Sequence, residues 1–98
     1  MIKNITREEL LTTYKDNHGF AFLSKHAIRD SSIYALADTL IAAKITSSKP
    51  IAVTRYKESV IFIYNDFNGP EFFQRASFFE QAYGVARIVP FLEYVNVV

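Results

Sequence analysis

The alternation of two hydrophobic patterns along the 98-residue chain is the feature that most limits its possible folds. Apolar residues at helical spacing predict helices, and short aromatic or β-branched runs predict strands. From the first residue to the last, the predicted order is α-β-α-β-β-α-β. An order of this kind requires a mixed architecture in which helices pack against a sheet.

The first predicted helix has a strong start signal. Thr6 is the expected N-cap, and Glu9, three residues later, completes a capping box. The helix is expected to run to about Asp16. Gly19, which is free to adopt a positive φ, is expected to stop it.

Two further helices are predicted downstream. Residues 30–32 provide N-cap candidates for a second helix that ends near Ile45. Pro70 suits the first position of a third helix, and Gly84 is its expected stop. The expected apolar face of the second helix consists of Ile33, Leu36, Ala37, Leu40 and Ile41.

Four segments are expected to be extended. Residues 20–23 form the first, and residues 51–55 and 59–64 form a hairpin. The last covers residues 85–98 and contains Pro90. Because proline cannot donate to a strand ladder, this last strand is expected at a sheet edge.

These elements predict an α/β chain of the α+β type, a two-layer sandwich formed by one domain over residues 1–98. Without the first helix, the order β-α-β-β-α-β is the split βαβ pattern of ferredoxin-like domains. The expectation is therefore a ferredoxin-like antiparallel sheet of four strands with an extra N-terminal helix. The alternative is another two-layer α/β sandwich with a different strand order.

The charge balance argues against a partner that is recognised mainly by charge. The formal net charge is +1, from 11 basic and 10 acidic residues. A strongly basic nucleic-acid binder or an acidic mimic of DNA would depart further from neutrality. The chain has no cysteine, no apolar run of membrane-spanning length and no signal-peptide pattern at its start. A cytoplasmic protein without membrane contact is expected.

The C-terminal strand is the predicted partner-binding site. Its residues 91–98 are β-prone and carry one charge, and an exposed edge of that kind pairs with another strand. The alternative is that the first helix or nearby loops cover it. The expected contact residues in this strand are Phe91, Tyr94, Val95 and Val97. At the hairpin tip, Arg55, Tyr56 and Lys57 are expected to orient the partner, or else to form a solvated turn.

An aromatic sheet face is the basis of a second hypothesis. Phe20 and Phe22 point to one side of their strand, as Phe62 and Tyr64 do on a neighbouring strand. On a helix-free face these rings would stack the bases of single-stranded RNA or DNA. On the face that packs against the helices, these rings would instead belong to the hydrophobic core.

Catalytic and metal-binding patterns are weak. His18 and His26 are the only histidines, and they lack the spacing of a metal site, so no metal and no cofactor are expected. Glycine-rich phosphate loops and nucleophile elbows are missing from the sequence. A small-molecule enzyme that uses Arg87 or Asn96 remains a third hypothesis.

The favoured prediction is a non-enzymatic interaction domain, homodimeric, that binds a protein partner by burying apolar surface. A regulator, an immunity protein or a phage-encoded inhibitor fits that description. Nucleic acid is the second expected partner class.

Overall fold

A five-stranded sheet forms the centre of this mixed α+β protein, whose structure is a computed structural model. The structure describes residues 2–23, 29–42, 46, 49–57, 59–65, 72–74 and 87–97. The strands are β1 (Lys3–Asn4), β2 (His18–Leu23), β3 (Ala52–Tyr56), β4 (Ser59–Tyr64) and β5 (Arg87–Pro90). The helices are α1 (Arg7–Thr13), α2 (Asp30–Ala42) and α3 (Phe91–Val97), and residues 72–74 are also helical.

The strand order is β1-β3-β4-β2-β5. β1 runs parallel to β3, and every other neighbouring pair is antiparallel. The predicted hairpin is present as β3 and β4, in which Tyr56 pairs with Ser59 next to the turn. β5 lies at a sheet edge, as predicted for the last strand. The two-residue β1, at the opposite edge, was not predicted.

Gly19 lies within β2, which corrects the prediction that it stops the first helix. α1 ends earlier, where the Tyr14 N–H donates to the Leu10 carbonyl oxygen at 3.1 Å. A Cβ at Gly19 would overlap the Phe62 carbonyl oxygen and lie 3.1 Å from the Ile63 Cα. Glycine is therefore needed because two backbones approach closely, a common reason for glycine in a strand.

The start of α1 follows from its local sequence. The Thr6 hydroxyl accepts a hydrogen bond from the Glu9 N–H at 3.1 Å, so Thr6 is the N-cap. The same hydroxyl donates to Glu9 Oε1 at 3.1 Å. These contacts satisfy a backbone donor that would otherwise lack a partner in the first turn.

One face of the sheet packs against α2. Four of the five predicted face residues of this helix are buried, and Ile41 is half-buried. The four buried residues share a core with the aromatic side chains of β2 and β4 and with Phe72. The buried residues of α2 are Ile33, Leu36, Ala37 and Leu40. The helical spacing of the sequence was therefore sufficient to identify this side of the core.

Helices also cover the opposite face, so the described part of the chain has three layers. α1 contributes Leu10, and α3 contributes Phe91 and Val95, which share a second core with Ile61 and Ile63 of β4. The prediction of a two-layer sandwich is wrong. Every residue of β4 is buried, and a strand that is apolar on both faces needs cover on both sides.

A helix follows Pro90, which corrects the prediction of a continuous C-terminal strand. α3 starts directly after β5 and places Phe91 and Val95, four residues apart, on one face. Strand propensities differ by only about 1 kcal/mol. Burying a Phe or Val side chain contributes roughly 1.5–3 kcal/mol, so burial decides the conformation. Arg7 Nε also donates to the Val95 carbonyl oxygen at 3.3 Å, which links α1 to α3.

The third predicted helix, from Pro70 to Gly84, lies mostly outside the described residues. Within that range the structure describes only residues 72–74, which are helical. The first of them, Phe72, is buried, and its ring stacks on the ring of Phe20 with centroids 4.7 Å apart.

Candidate protein-binding site

Three of the seven predicted partner-binding residues meet where the hairpin tip reaches α3. The ring of Tyr94 contacts the ring of Tyr56 edge to face, with centroids 6.1 Å apart. The Lys57 amine lies 5.6 Å from the centroid of the Tyr56 ring, within cation–π range. We call Tyr56, Lys57 and Tyr94 the hairpin–helix corner.

The corner combines a rigid base with accessible groups. Tyr56 is only 5% exposed and belongs to the core below α1 and α3. Tyr94 is half-buried and Lys57 is exposed. Lys57 has a φ of 52°, in the left-handed region that non-glycine residues seldom adopt. The turn therefore holds a cation beside the Tyr56 ring at a local conformational cost.

The other four predicted contact residues do not belong to this surface. Phe91 and Val95 are 1% and 0% exposed, so the prediction that they present an open strand edge is wrong. They face inward because α3 packs its apolar side on the sheet. Val97 is the last residue of α3, and its side chain lies outside the described part of the chain. Arg55 points to the opposite face of the sheet.

Arg55 belongs to an ionic cluster that joins three elements. Its Nη2 donates to Asp30 Oδ1 at 2.9 Å, at the start of α2. The Ile2 N–H donates to the other oxygen of Asp30 at 2.9 Å, and the Arg55 carbonyl accepts from the Ile5 N–H at 2.8 Å. The Ile2 N–H and then the Arg55 guanidinium hold the pKa of Asp30 below its usual value. This cluster fixes the N-terminal segment on the sheet.

The four aromatic residues of the nucleic-acid hypothesis share one face, as predicted, but that face is covered by α2. Phe20, Phe22, Phe62 and Tyr64 are each at most 4% exposed. Phe20 stacks on Phe62 with centroids 4.7 Å apart. The alternative that these rings are core is therefore correct, and the helix-free platform is not present, because the rings pack on one another and against α2. No ring face remains for a base.

Tyr64 carries a polar group into this core. Burial raises the pKa of its phenol to about 12, and the neighbouring side chain of Thr46 lowers it by a smaller amount. The phenol therefore remains protonated at neutral pH. Its role in the structure is packing against Phe20, with centroids 6.2 Å apart.

A small cleft of about 110 Å³ lies where β2 begins, beside the junction of β5 and α3. Its lining consists of Asn17, His18, Gly19, Phe73, Pro90, Phe91 and Leu92. Asn17 Nδ2 donates to Asn65 Oδ1 at 3.1 Å and to the Tyr64 carbonyl oxygen at 3.4 Å. These contacts hold one wall of the cleft in place.

The residues considered for metal binding or catalysis are dispersed. His18 lies at the cleft, and His26 falls outside the described residues. Within the described ranges, histidine and carboxylate side chains nowhere form a group of three that could hold a metal ion. Arg87 is exposed at the start of β5, and Asn96 is exposed near the end of α3. Neither lines the cleft.

Sequence reasoning identified the three residues of the hairpin–helix corner but not their contact, and it did not identify the ionic cluster or the cleft. The spacing of Phe91 and Val95 was the signal for α3, and it would have placed Tyr94 on a helix beside them. Nothing local in the sequence pairs Asp30 with Arg55, since their contact depends on the position of α2 over the sheet.

Comparisons with known proteins identify no relative: no protein-family model, curated protein or solved structure matches the chain. Across the described ranges, every helix is too short or too polar to span a bilayer.

Proposed function

We propose that this chain is a non-enzymatic protein-interaction domain that binds a protein partner through the hairpin–helix corner and forms a homodimer. The observation that carries the proposal is the packing of Tyr94 on buried Tyr56, with the Lys57 amine over the same ring. A tyrosine held on a rigid base is a good anchor because it buries a large area with little loss of side-chain entropy. Binding hot spots are rich in such residues.

The partner chemistry follows from the charges and rings of the corner. Lys57 provides an exposed cation, and Tyr94 provides an aromatic surface with a hydroxyl. The complementary surface presents an apolar side chain next to a carboxylate, because like charge beside Lys57 would be unfavourable. We assign the domain a regulatory or inhibitory role, since occupying a partner surface is sufficient for either.

We also propose the finer features of fold and location. The chain is one domain over residues 1–98, and its four longer strands correspond to a ferredoxin-like arrangement. Support comes from the antiparallel order β3-β4-β2-β5. In that assignment β1, α1 and α3 are additions to the fold. The absence of cysteine supports a cytoplasmic location.

The test is affinity capture from native extract, half of it treated with nuclease. The bait is the full chain as wild type, as Tyr94→Asp or as Lys57→Glu. Asn96→Asp is the control for the first variant, because it adds the same charge at an exposed position of α3. Lys49→Glu is the control for the second, because it makes the same change before the other end of β3.

We expect a stoichiometric protein partner that survives nuclease treatment. Tyr94→Asp and Lys57→Glu should each weaken its binding at least about tenfold, and the controls by less than about threefold. A partner that binds all five baits equally would refute the corner as the site. Recovery of nucleic acid, with every protein lost after nuclease, would refute protein binding altogether.

A further inference from the structure

A short N-terminal segment bridges the two elements that form the hairpin–helix corner. The Ile5 N–H donates to the Arg55 carbonyl oxygen at 2.8 Å, and Arg55 directly precedes the corner tyrosine of β3. Arg7 Nε donates to the Val95 carbonyl oxygen at 3.3 Å, and Val95 directly follows the corner tyrosine of α3. Each corner tyrosine is therefore next in sequence to a residue that this segment holds. We call residues 2–7 the N-terminal strap.

Asp30 holds the other end of the strap. Its Oδ2 accepts a hydrogen bond from the Ile2 N–H at 2.9 Å, and its Oδ1 accepts one from Arg55 Nη2 at 2.9 Å. Asp30 is the first residue of α2, so one carboxylate joins the strap both to a helix and to β3. Hydrogen bonds to an ionised group are stronger than those between neutral groups. The Ile2 side chain is 4% exposed and packs in the core on the α2 side of the sheet.

The paired region of the strap is small. Its strand, β1, consists of Lys3 and Asn4, which are both exposed and pair with Thr54 and Arg55 at a sheet edge. Ordering a chain segment costs conformational entropy, and short edge segments open locally more readily than a buried central strand. The strap is therefore the part of this sheet whose position depends most on its anchors, and Asp30 is one of them.

We propose that Asp30, by holding the N-terminal strap in place, positions Tyr56 and Tyr94 for partner binding. The docked strap fixes the spacing of β3 and α3 through the bonds of Ile5 and Arg7. Release of the strap removes that bridge, and Tyr94 is then held less firmly on Tyr56. The inference rests on the proposed function and deepens it. It makes Asp30 a positioning residue, which acts through the strap from the opposite face of the sheet.

The first experiment compares NMR spectra of the full chain, without a partner, as wild type and as Asp30→Asn. The asparagine amide has one accepting oxygen, so the Ile2 N–H and Arg55 can no longer both be satisfied. We expect the amide of Ile5 and the amide and ring signals of Tyr94 to shift. Asp38→Asn is the matched control, because it makes the same substitution at an exposed position of α2, and it should shift neither.

This measurement separates positioning from stability. A variant that is merely less stable keeps the signals of its folded state as long as nearly all molecules are folded, which circular dichroism checks. A shift at Ile5 without one at Tyr94 would overturn the inference, because the strap would then be a local anchor only. Shifts of equal size at Ile61, in the buried strand β4, would overturn it as well, since they indicate a general rearrangement of the sheet.

The second experiment breaks the bridge at its other end, and it keeps the inference testable if Asp30→Asn does not fold. Arg7→Ala removes the donor to α3 and should shift the Tyr94 signals while the Ile2 amide, held by Asp30, stays in place. Lys15→Ala is its control, because it removes an exposed cation just after α1. Because both variants act through one strap, Arg7→Ala combined with Asp30→Asn should shift Tyr94 by less than the sum of the single effects. Additive shifts, or none in Arg7→Ala, would contradict the bridge.

The third experiment measures affinity for the captured partner and separates this inference from the proposed function. We expect the dissociation constant to rise at least about fivefold in Asp30→Asn and less than about twofold in Asp38→Asn. A partner that binds through Tyr94 but is indifferent to Asp30→Asn would overturn the positioning role while the proposed function stands. If no partner is captured while the Tyr94 signals shift as expected, the strap still controls the corner and the proposed function is refuted.

Discussion

The ring of Tyr94 stands on the ring of Tyr56 at an interplanar angle of 89°, with the two centroids 6.1 Å apart. One ring comes from the last residue of β3 and the other from α3. Since Tyr56 is buried and Tyr94 is only half-buried, the first supports the second. An edge-to-face pair contributes roughly 0.5–1.5 kcal/mol beyond the area that it buries. This geometry makes Tyr94 an anchored contact residue.

Gly19→Ala should destabilise the protein strongly. The added methyl group would overlap the Phe62 carbonyl oxygen in the neighbouring strand. The overlap can be relieved only if β2 and β4 move apart. We expect a loss of about 3 kcal/mol in the free energy of unfolding, measured by chemical denaturation. His18→Ala, at the exposed neighbouring position of β2, is the control and should cost under about 1 kcal/mol. A stable Gly19→Ala protein would show that β2 and β4 are not packed as described.

Lys57→Asn should be more stable than Lys57→Val by about 1–2 kcal/mol. Lys57 has a φ of 52°, a conformation that asparagine tolerates and a β-branched residue resists. Both variants lose the amine above the Tyr56 ring, so their difference isolates the backbone effect. Denaturation of the two variants side by side measures it. Equal stabilities would mean that the turn does not require a left-handed residue.

Asp30→Asn should destabilise the protein at neutral pH, and the difference from wild type should vanish in acid. The Ile2 N–H and the Arg55 guanidinium lower the pKa of Asp30, so the folded state holds the carboxylate more strongly than the unfolded chain does. This stabilisation is present above the unfolded pKa of about 4 and is lost as the pH falls through the folded pKa. Thermal unfolding of both proteins between pH 7 and about pH 2 measures the difference. A difference in stability between wild type and Asp30→Asn that stayed constant with pH would contradict an ionic role for Asp30.

Tyr64→Phe should remove a loss of stability at alkaline pH. Burial raises the pKa of Tyr64 to about 12, while an unfolded tyrosine loses its proton near pH 10. Between these values the folded chain keeps a proton that the unfolded chain releases, so stability falls as pH rises. Two units correspond to about 2–3 kcal/mol. We expect the wild type to lose that amount relative to Tyr64→Phe between pH 10 and 12, by denaturation at each pH. If the free energy of unfolding varied with pH in the same way in both proteins, the Tyr64 phenol would be exposed to water rather than buried.

Local signals in the sequence predicted the elements whose conformation depends on nearby residues. The Thr6 cap, the buried face of α2 and the hairpin of β3 and β4 each follow from spacing within a few residues of sequence. The edge position of β5 follows from Pro90, which lacks a backbone donor. In each case the deciding interaction lies within the segment itself or in a single residue.

The elements that sequence reasoning missed depend on distant contacts. The segment after Pro90 has strand-like composition, and only the burial of Phe91 and Val95 against the sheet makes it a helix. The same helix covers the second face of the sheet. Because this helix was not predicted, a two-layer fold was expected where three layers are present. The candidate site was half predicted: Tyr56, Lys57 and Tyr94 were identified as contact residues. Their meeting could not be predicted because it requires α3.

The most direct measurement of the central claim is amide hydrogen exchange of the domain with and without its captured protein partner. If the corner binds the partner, exchange should slow at Lys57 and along residues 92–96, and the Tyr94→Asp variant should lose that protection. Slowing confined to other parts of the chain, with Lys57 and α3 unchanged, would contradict the hairpin–helix corner as the binding site.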